Sequence, residues 1–375
     1  MEGKSCIKTL TSNIKRKVGI PVLQQMAKMR RRNRKAIVLA ITGTNGKTTT
    51  KELTNAVLSK NYRTICTQGN YNNHVGVPLT LLQIRQDTEI AIVEMGANHP
   101  GEIAFLCKIA KPDYGMITNI GKAHLEGFGS IEGVKKTKKE LFDHLKTHGG
   151  KAFVNGDNTM LMDLSEGMER TTYGAGTEND CVASLVSCSP FLRVNATGTG
   201  DIQTCLVGEY NFENVAAAIA IGKYFKVSDA DIKAAIEDYT PTNSRSQVIN
   251  TKKSNRVVLD AYNANPVSMK ASVTSFRNSC GDNPLLILGD MLELGDASDE
   301  EHQSIIKLIN SLGFNEIYLV GDCMGKAVPK EDKRYTTYKD INELKKQIEA
   351  NPLSNRNILI KGSHGIHLEE IMDYL

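Results

Sequence analysis

Gly43-Thr44-Asn45-Gly46-Lys47-Thr48-Thr49 sets two glycines, a lysine and a run of hydroxyls directly behind the apolar stretch Ala36 to Ile41. Residues of these types at this spacing suit an anion. The backbone N–H groups of such a loop, with a helix N-terminus behind them, form a concave site for phosphate oxygens. Lys47 would reach the terminal phosphates of a nucleoside triphosphate and Thr48 would ligate Mg²⁺. The usual phosphate loop has its first glycine five positions before Gly-Lys, where Ile41 stands; here it comes two residues later, at Gly43. An ordinary glycine turn after a buried strand is the alternative, and it leaves Lys47 without a task.

Further candidates follow other apolar runs. Glu94 ends the run Glu89 to Val93, and Asn119 follows Tyr114 to Thr118, with His124 and Glu126 just beyond. In an open α/β sheet, ligands bind at the carboxyl ends of the strands, so Lys47, Glu94, Asn119 and His124 should converge on a phosphate-and-metal site. The segment Gly69 to Pro78, with Asn70, Asn72 and Asn73, is costly to order unless its amides have partners; it reads either as a substrate contact or as a plain turn cluster. Lys138 shares the stripe of Ile131, Val134, Leu141 and Leu145 at helical spacing. A lysine on a buried stripe either snorkels to the edge or is chemically employed. A desolvated amine has a lowered pKa and can react with carbon dioxide, giving a carbamate that serves as a carboxylate-type metal ligand.

The elements that must hold these groups alternate strand and helix. Pro21 to Arg32 reads as a short amphipathic helix leading into the first strand, Tyr62 to Thr67 as a second strand, and Ile131 to Lys146 as a helix. Residues 151–206 form short β-like pieces, and Asn211 is placed to cap the helix Val215 to Phe225. Strands at Val257 to Leu259, Leu285 to Leu288, Ile317 to Val320 and Ile358 to Ile360, with helices between, predict a separate Rossmann-like domain. The expected fold is therefore α/β: a central domain like the P-loop NTPases with a mainly parallel sheet, plus a C-terminal Rossmann-like domain. Boundaries fall at 1–35 for a basic arm with its lead-in helix, 36–244 for the central domain and 245–375 for the last.

Composition is that of a soluble globular protein. The 375 residues are 40% hydrophobic and 23% charged, enough for two or three domains with their own cores. No apolar run approaches the roughly 20 residues a bilayer span needs, and no signal peptide precedes the first strand, so a cytoplasmic location is expected. The eight cysteines show no Cys-x-x-Cys pair or metal spacing, which indicates neither disulfide nor zinc. The net charge of +4 is an uneven average: residues 1–35 hold 11 Lys/Arg and one acid, which leaves 35 of 46 basic and 41 of 42 acidic side chains for the body. Without interleaved aromatics the Arg30 to Lys35 run does not argue for nucleic acid and reads as a solvated helix face, with an organellar transit peptide as a minor alternative.

Six motifs together resemble the Mur ligases, nearest to those that add D-alanyl-D-alanine. They are Gly43 to Thr49, Gly69 to Pro78, Glu94-Met95-Gly96-Ala97-Asn98, Ala123-His124-Leu125-Glu126, Tyr262-Asn263-Ala264-Asn265-Pro266 and Leu288-Gly289-Asp290-Met291-Leu292-Glu293-Leu294-Gly295. The resemblance runs from about residue 36 to the C-terminus. It implies ATP-dependent amide synthesis in peptidoglycan precursor formation, through an acyl phosphate on a UDP-sugar tripeptide, with ATP and Mg²⁺ required. By position, Lys47 would contact the β/γ-phosphates, Thr48 and Glu94 would hold one Mg²⁺, and His124 with carbamylated Lys138 would serve a second. Asn214 would meet adenine; Arg245 and Asp260 would bind nucleotide across the domain junction. Asn70, Asn72, Asn73, Asn119, Asn263, Asn265 and Lys361 would be substrate contacts.

Three departures from the family pattern stand out. Only about 35 residues precede the phosphate loop strand, where family members carry a UDP-sugar-binding domain; its loss, a gene boundary or a separate chain would each account for that. Tyr210 stands where many members have histidine, and His364 where arginine is common. Beside the ligase stand two alternatives: an ATP-binding remnant or subunit unable to hold the nucleotide sugar, and a ligase of the same chemistry with another acceptor, against which the last two motifs argue.

Overall fold

The aliphatic run ahead of the glycine loop becomes β1 (Ile37–Thr42), with every residue after Ile37 buried. A strand covered on both faces needs helices on both sides of its sheet. In the computed structural model, which describes residues 19–122, 125–329 and 331–375, that condition is met. Successive side chains of β1 alternate between two cores: Leu39 and Ile41 pack with Leu53, Val57 and Ile219, whereas Val38 and Ala40 pack with Ile103, Leu106, Leu141 and Leu145. The first core lies under helices Lys47–Leu58 and Phe212–Tyr224, the second under Glu102–Ala110 and Ile131–His148. Each fully buried Leu or Ile contributes about 1.5–3 kcal/mol relative to an exposed one, so the two layers hold the loop after β1 on a rigid base.

The first sheet continues with β2 (Thr64–Cys66), β3 (Ile90–Glu94), β4 (Tyr114–Ile117), β5 (Lys151–Asn155), β6 (Arg170–Gly174), β7 (Cys181–Ser187), β8 (Arg193–Ala196) and β9 (Gly200–Gln203). Its order is β2-β3-β1-β4-β5-β6-β7-β8-β9. Pairing is parallel from β2 to β7 and antiparallel through β8 and β9. β3 and β4 flank β1 on opposite sides, and the chain crosses over β1 in passing from one to the other, so the carboxyl end of β1 is a topological switch point.

A second sheet comprises β10 (Gln247–Asn250), β11 (Arg256–Asp260), β12 (Pro284–Gly289), β13 (Ile317–Val320), β14 (Tyr335–Tyr338) and β15 (Asn357–Lys361). Its order is β10-β11-β15-β12-β13-β14, parallel except for β10. The mainly parallel α/β class expected from the alternating pattern is thus the observed one.

Local details differ from the pattern in instructive ways. The lead-in helix spans Ile20–Arg32. Arg31 on it is not a solvated charge: it donates to the carbonyls of Ala110 and Lys111 and pairs with Asp113 at 2.7 Å. The free carbonyls at the end of helix Glu102–Ala110 attract a cation. Residues 1–18, most of the basic arm, lie outside the described residues. The stripe on helix Ile131–His148 begins at Val134, because Ile131 follows the Ser130 cap and is exposed. Among the described residues, no helix is long and apolar enough to cross a membrane.

Candidate functional site

Where the carboxyl ends of the two sheets face each other, a cavity of about 810 Å³ opens between them. One wall is the phosphate-type loop. Gly46 takes φ +80°, and a Cβ there would lie 2.4 Å from the Asn214 side-chain oxygen. Only glycine satisfies both the left-handed backbone and the close approach. At Gly43 a Cβ would fall 1.9 Å from Thr118 Oγ1. The end of β4 braces this loop: Thr118 Oγ1 donates to the Asn45 carbonyl at 2.6 Å, and the Asn119 carbonyl accepts from Thr44 N–H. The Asn119 amide is consumed there too, accepting from Asn45 N–H at 2.9 Å and donating to its carbonyl at 3.2 Å. The Asn119 side chain, expected as a substrate contact, is spent on the loop, because its two polar ends match the N–H and the C=O of one residue, Asn45.

Lys47 lines the cavity and folds back on the loop, donating to the carbonyls of Gly43 and Thr44 at 2.9 and 2.8 Å. Burial lowers its pKa to about 8; Glu94 works in the opposite direction, and the Arg245 guanidinium adds to the lowering. Glu94, only 1% exposed, ends β3. Its carboxylate accepts from Thr48 Oγ1 and from Asn72 Nδ2, both at 2.9 Å. Both of these partners are neutral. Lys138 is 3% exposed and lines the same cavity, its Nζ 5.6 Å from the centre of the Phe128 ring. Burial, with Lys47 nearby, lowers its pKa to about 7. The snorkelling alternative therefore does not hold for this lysine. His124 lies outside the described residues.

The asparagines divide by use. Asn72 supports Glu94, and Asn70 sits exposed on the cavity wall. Asn73 also borders the cavity, but its side-chain oxygen accepts from Val75 and Gly76 N–H and opens helix Gly76–Leu82. Asn214 accepts from Thr50 Oγ1 at 2.9 Å and donates to Asn211. Asn211 occupies the cap position of helix Phe212–Tyr224 without capping it; its amide donates to the Val207 carbonyl, since Asn214 claims its oxygen. Thr49 lines the cavity behind Thr48.

The second sheet supplies the facing wall. Asp260, at the end of β11, accepts from Ser246 N–H at 3.1 Å and Ser272 Oγ at 3.2 Å, and pairs with buried Lys361 at 2.6 Å. Lys361 also approaches the Asn263 carbonyl at 3.3 Å. Expected as a substrate contact, Lys361 spends its charge on Asp260, since a buried ammonium this close to a carboxylate pairs with it. Arg245 lies flat on Tyr262, its guanidinium carbon 3.7 Å from the ring centre, and His364 stacks on the same ring at 5.7 Å. Ser244 and Ser246 on either side of Arg245 both have positive φ, 55° and 52°. Tyr210 hydrogen-bonds Ser246 Oγ at 2.8 Å from the other sheet's side, and burial raises its pKa. Asn263 stays exposed, whereas Asn265 caps helix Pro266–Ser279 and donates to Asn45 Oδ1 at 2.7 Å, joining the two walls.

Sequence reasoning gave no role to Thr118, Phe128 or Ser246, and took Tyr262 only as part of a motif. A hydroxyl directly before Asn119 at a strand end was the available signal for the first; the others become visible only through contacts. A further group, Asp290, His302 and Cys323, places three ligand-type atoms within 4.8 Å of one another. Hydrogen bonds already claim all three: Asp290 accepts from the N–H groups of Cys323 and Met324, His302 Nε2 from Met291 N–H, and Cys323 Sγ from Ser298 Oγ.

Residues 41–222 match the Mur ligase middle domain, and residues 244–364 match the family model described as "Mur ligase, glutamate ligase domain". The UDP-N-acetylmuramoyl-tripeptide–D-alanyl-D-alanine ligase of Bacillus subtilis (strain 168) is 36% identical over 364 residues, covering 94% of this chain and 79% of the relative. A crystal structure of MurF from Acinetobacter baumannii superposes with a TM-score of 0.83 at 31% identity, covering 94% of this chain and 80% of that one. The MurF ligase of Thermotoga maritima in complex with ADP gives 0.82 at 25% identity, with 95% and 83% covered.

Proposed function

Because this chain belongs to the Mur ligase family, we propose that it joins D-alanyl-D-alanine to UDP-N-acetylmuramoyl-tripeptide with ATP converted to ADP and phosphate. The observation that carries this is the convergence of Lys47, Thr48, Glu94 and Lys138 on one cavity, faced by Arg245 and Asp260. With it goes the 36% identity to a ligase of that name over 94% of the chain. The relative holds the remaining fifth of its length in the same polypeptide, so a separate chain for that part has no support. Residues 36–244 act as the nucleotide lobe and residues 245–375 as the lobe that closes on it.

The chemistry brings two anions together: the tripeptide carboxylate attacks the γ-phosphorus, ADP leaves, and an acyl phosphate forms. The free amine of the dipeptide then attacks its carbonyl carbon, and phosphate departs from the tetrahedral intermediate. Lys47 turns from its own loop carbonyls to the β/γ-phosphates, and the loop N–H groups of Gly46 to Thr49 surround them. Asn214, at the base of the loop, takes the adenine side, and Arg245 and Asp260 approach the nucleotide from the second lobe. Asn70, Asn72 and the exposed Asn263 border the space for the tripeptide and dipeptide. Closure excludes water, which would hydrolyse the acyl phosphate.

Glu94 also tests the fit for Mg²⁺. Its buried carboxylate, held by a hydroxyl and an amide, and the Thr48 hydroxyl beside it are hard oxygen donors of the kind that suit that ion. Thr48 and Glu94 would hold one Mg²⁺; Lys138, as a carbamate, and His124 would hold the second. The metal supplies charge neutralisation between the reacting anions.

Incubation with ATP, Mg²⁺, the UDP-linked tripeptide and the dipeptide should release phosphate only when all four are present. Release that ignores the dipeptide would defeat the proposal. Nucleotide binding without uptake of the UDP-linked tripeptide would favour a remnant that has kept only the ATP site.

A further inference from the structure

Glu301 lies in the first turn of helix Ser298–Leu312 on the second lobe, with a side chain only 7% exposed. A carboxylate this buried needs a partner to offset lost hydration. Its partner belongs to the other lobe: Lys122 Nζ lies 2.8 Å from Glu301 Oε1, while Lys270, on its own lobe, stays 4.0 Å from Oε2. Lys122 ends the segment Asn119 to Lys122, the same segment that braces the phosphate loop. Within it Gly121 N–H donates to Thr44 Oγ1 at 3.0 Å, and Asn119 grips Asn45. Two more contacts from the second lobe fall on this assembly. Asn265 reaches Asn45, and Val267 packs on Gly121 so closely that a Cβ there would lie 3.3 Å from Val267 Cγ2.

We propose that Glu301 and Lys122 are positioning residues: their ion pair latches the second lobe shut on the segment that braces the phosphate loop, so that lobe closure and loop geometry are set together. Neither side chain need touch substrate. If the lobes separate, Glu301 keeps, among the described residues, Lys270 and its own helix N-terminus, so its buried charge favours the closed arrangement. Salt screens the Lys122 end, which is 54% exposed, and weakens the latch.

The inference rests on the ligase reading for its kinetic readout but not for its structural one. In full-length protein, E301Q and K122M should each lower kcat/KM for the dipeptide about five- to tenfold, and the double variant should be no worse than either single one. Small-angle scattering of each variant should give a larger radius of gyration than wild type, with thermal midpoints unchanged. Losses that multiply in the double variant, or variants as compact as wild type, would overturn the latch. E301Q, on the lobe away from the phosphate loop, guards against a local effect of K122M. Should wild-type protein show no dipeptide-dependent phosphate release, the ligase reading fails, and scattering alone decides the latch.

Discussion

Lys47 and Lys138 share a cavity and a cost. A lysine whose folded-state pKa of about 8 lies below the ordinary 10.5 penalises folding while it is charged. The stability missing at neutral pH returns as pH rises from about 8 toward 10.5. Lys47→Met should therefore leave the nucleotide-free protein as stable as wild type or more so at pH 7, while turnover falls roughly 10²–10³-fold; thermal unfolding beside a phosphate-release assay checks both halves. A loss of stability in K47M would show that its loop hydrogen bonds outweigh the burial. For Lys138, with its pKa lowered to about 7, the amine is mostly free above that value and mostly ammonium below it. Protein incubated with ¹³C-bicarbonate should give a carbamate carbon signal that grows from pH 6 to 8 and is missing from K138A. An identical spectrum for K138A would remove Lys138 from the metal set.

At the scale of elements, the strand ends do the positioning. β1 delivers the loop, β3 delivers Glu94, and β4 delivers the bracing pair Thr118 and Asn119. Gly46→Ala tests how tightly this is built, because the new Cβ meets both an adverse φ of +80° and the Asn214 side chain. It should cost about 1–3 kcal/mol of stability, measured by urea unfolding, and abolish ATP binding measured by calorimetry. Tyr210 ties the helical entry at Asn211 to the junction at Ser246. Tyr210→Phe removes one buried hydrogen bond and should cost about 1 kcal/mol in the same unfolding measurement. A neutral result would mean that Ser246 finds another partner.

For the whole molecule, the cavity lies between two sheets, each with hydrophobic cores of its own. The junction at Ser244 to Ser246 is the narrow place: two non-glycine residues of positive φ flank Arg245, whose guanidinium is stacked on Tyr262. Backbone held in that region costs of order 1 kcal/mol per residue and persists where surroundings impose it. The Asp260–Lys361 pair, Tyr210 and the Asn45–Asn265 bond do so here. Loss of Asn265 should show at this scale. Asn265→Ala removes both a helix cap and a bond between the lobes, so crystals or scattering of N265A should reveal a more open arrangement than Y210F does.

The sequence by itself determined the alternation of strand and helix, the location of the glycine loop and the place of Lys138 on the apolar stripe of a helix. Each of these depends on residues near one another in the chain: an unbroken aliphatic run, glycines flanking a lysine, and helical spacing. Only the tertiary structure decided what the polar side chains face. Asn119 and Lys361 carry the same groups that a ligand contact would, and nothing local distinguishes an amide aimed at a substrate from one holding a backbone N–H 74 residues away. The pairing of Lys122 with Glu301, 179 residues apart, was likewise fixed by the folding of two sheets against each other. A charge on a loop has no partner until the chain has closed around it.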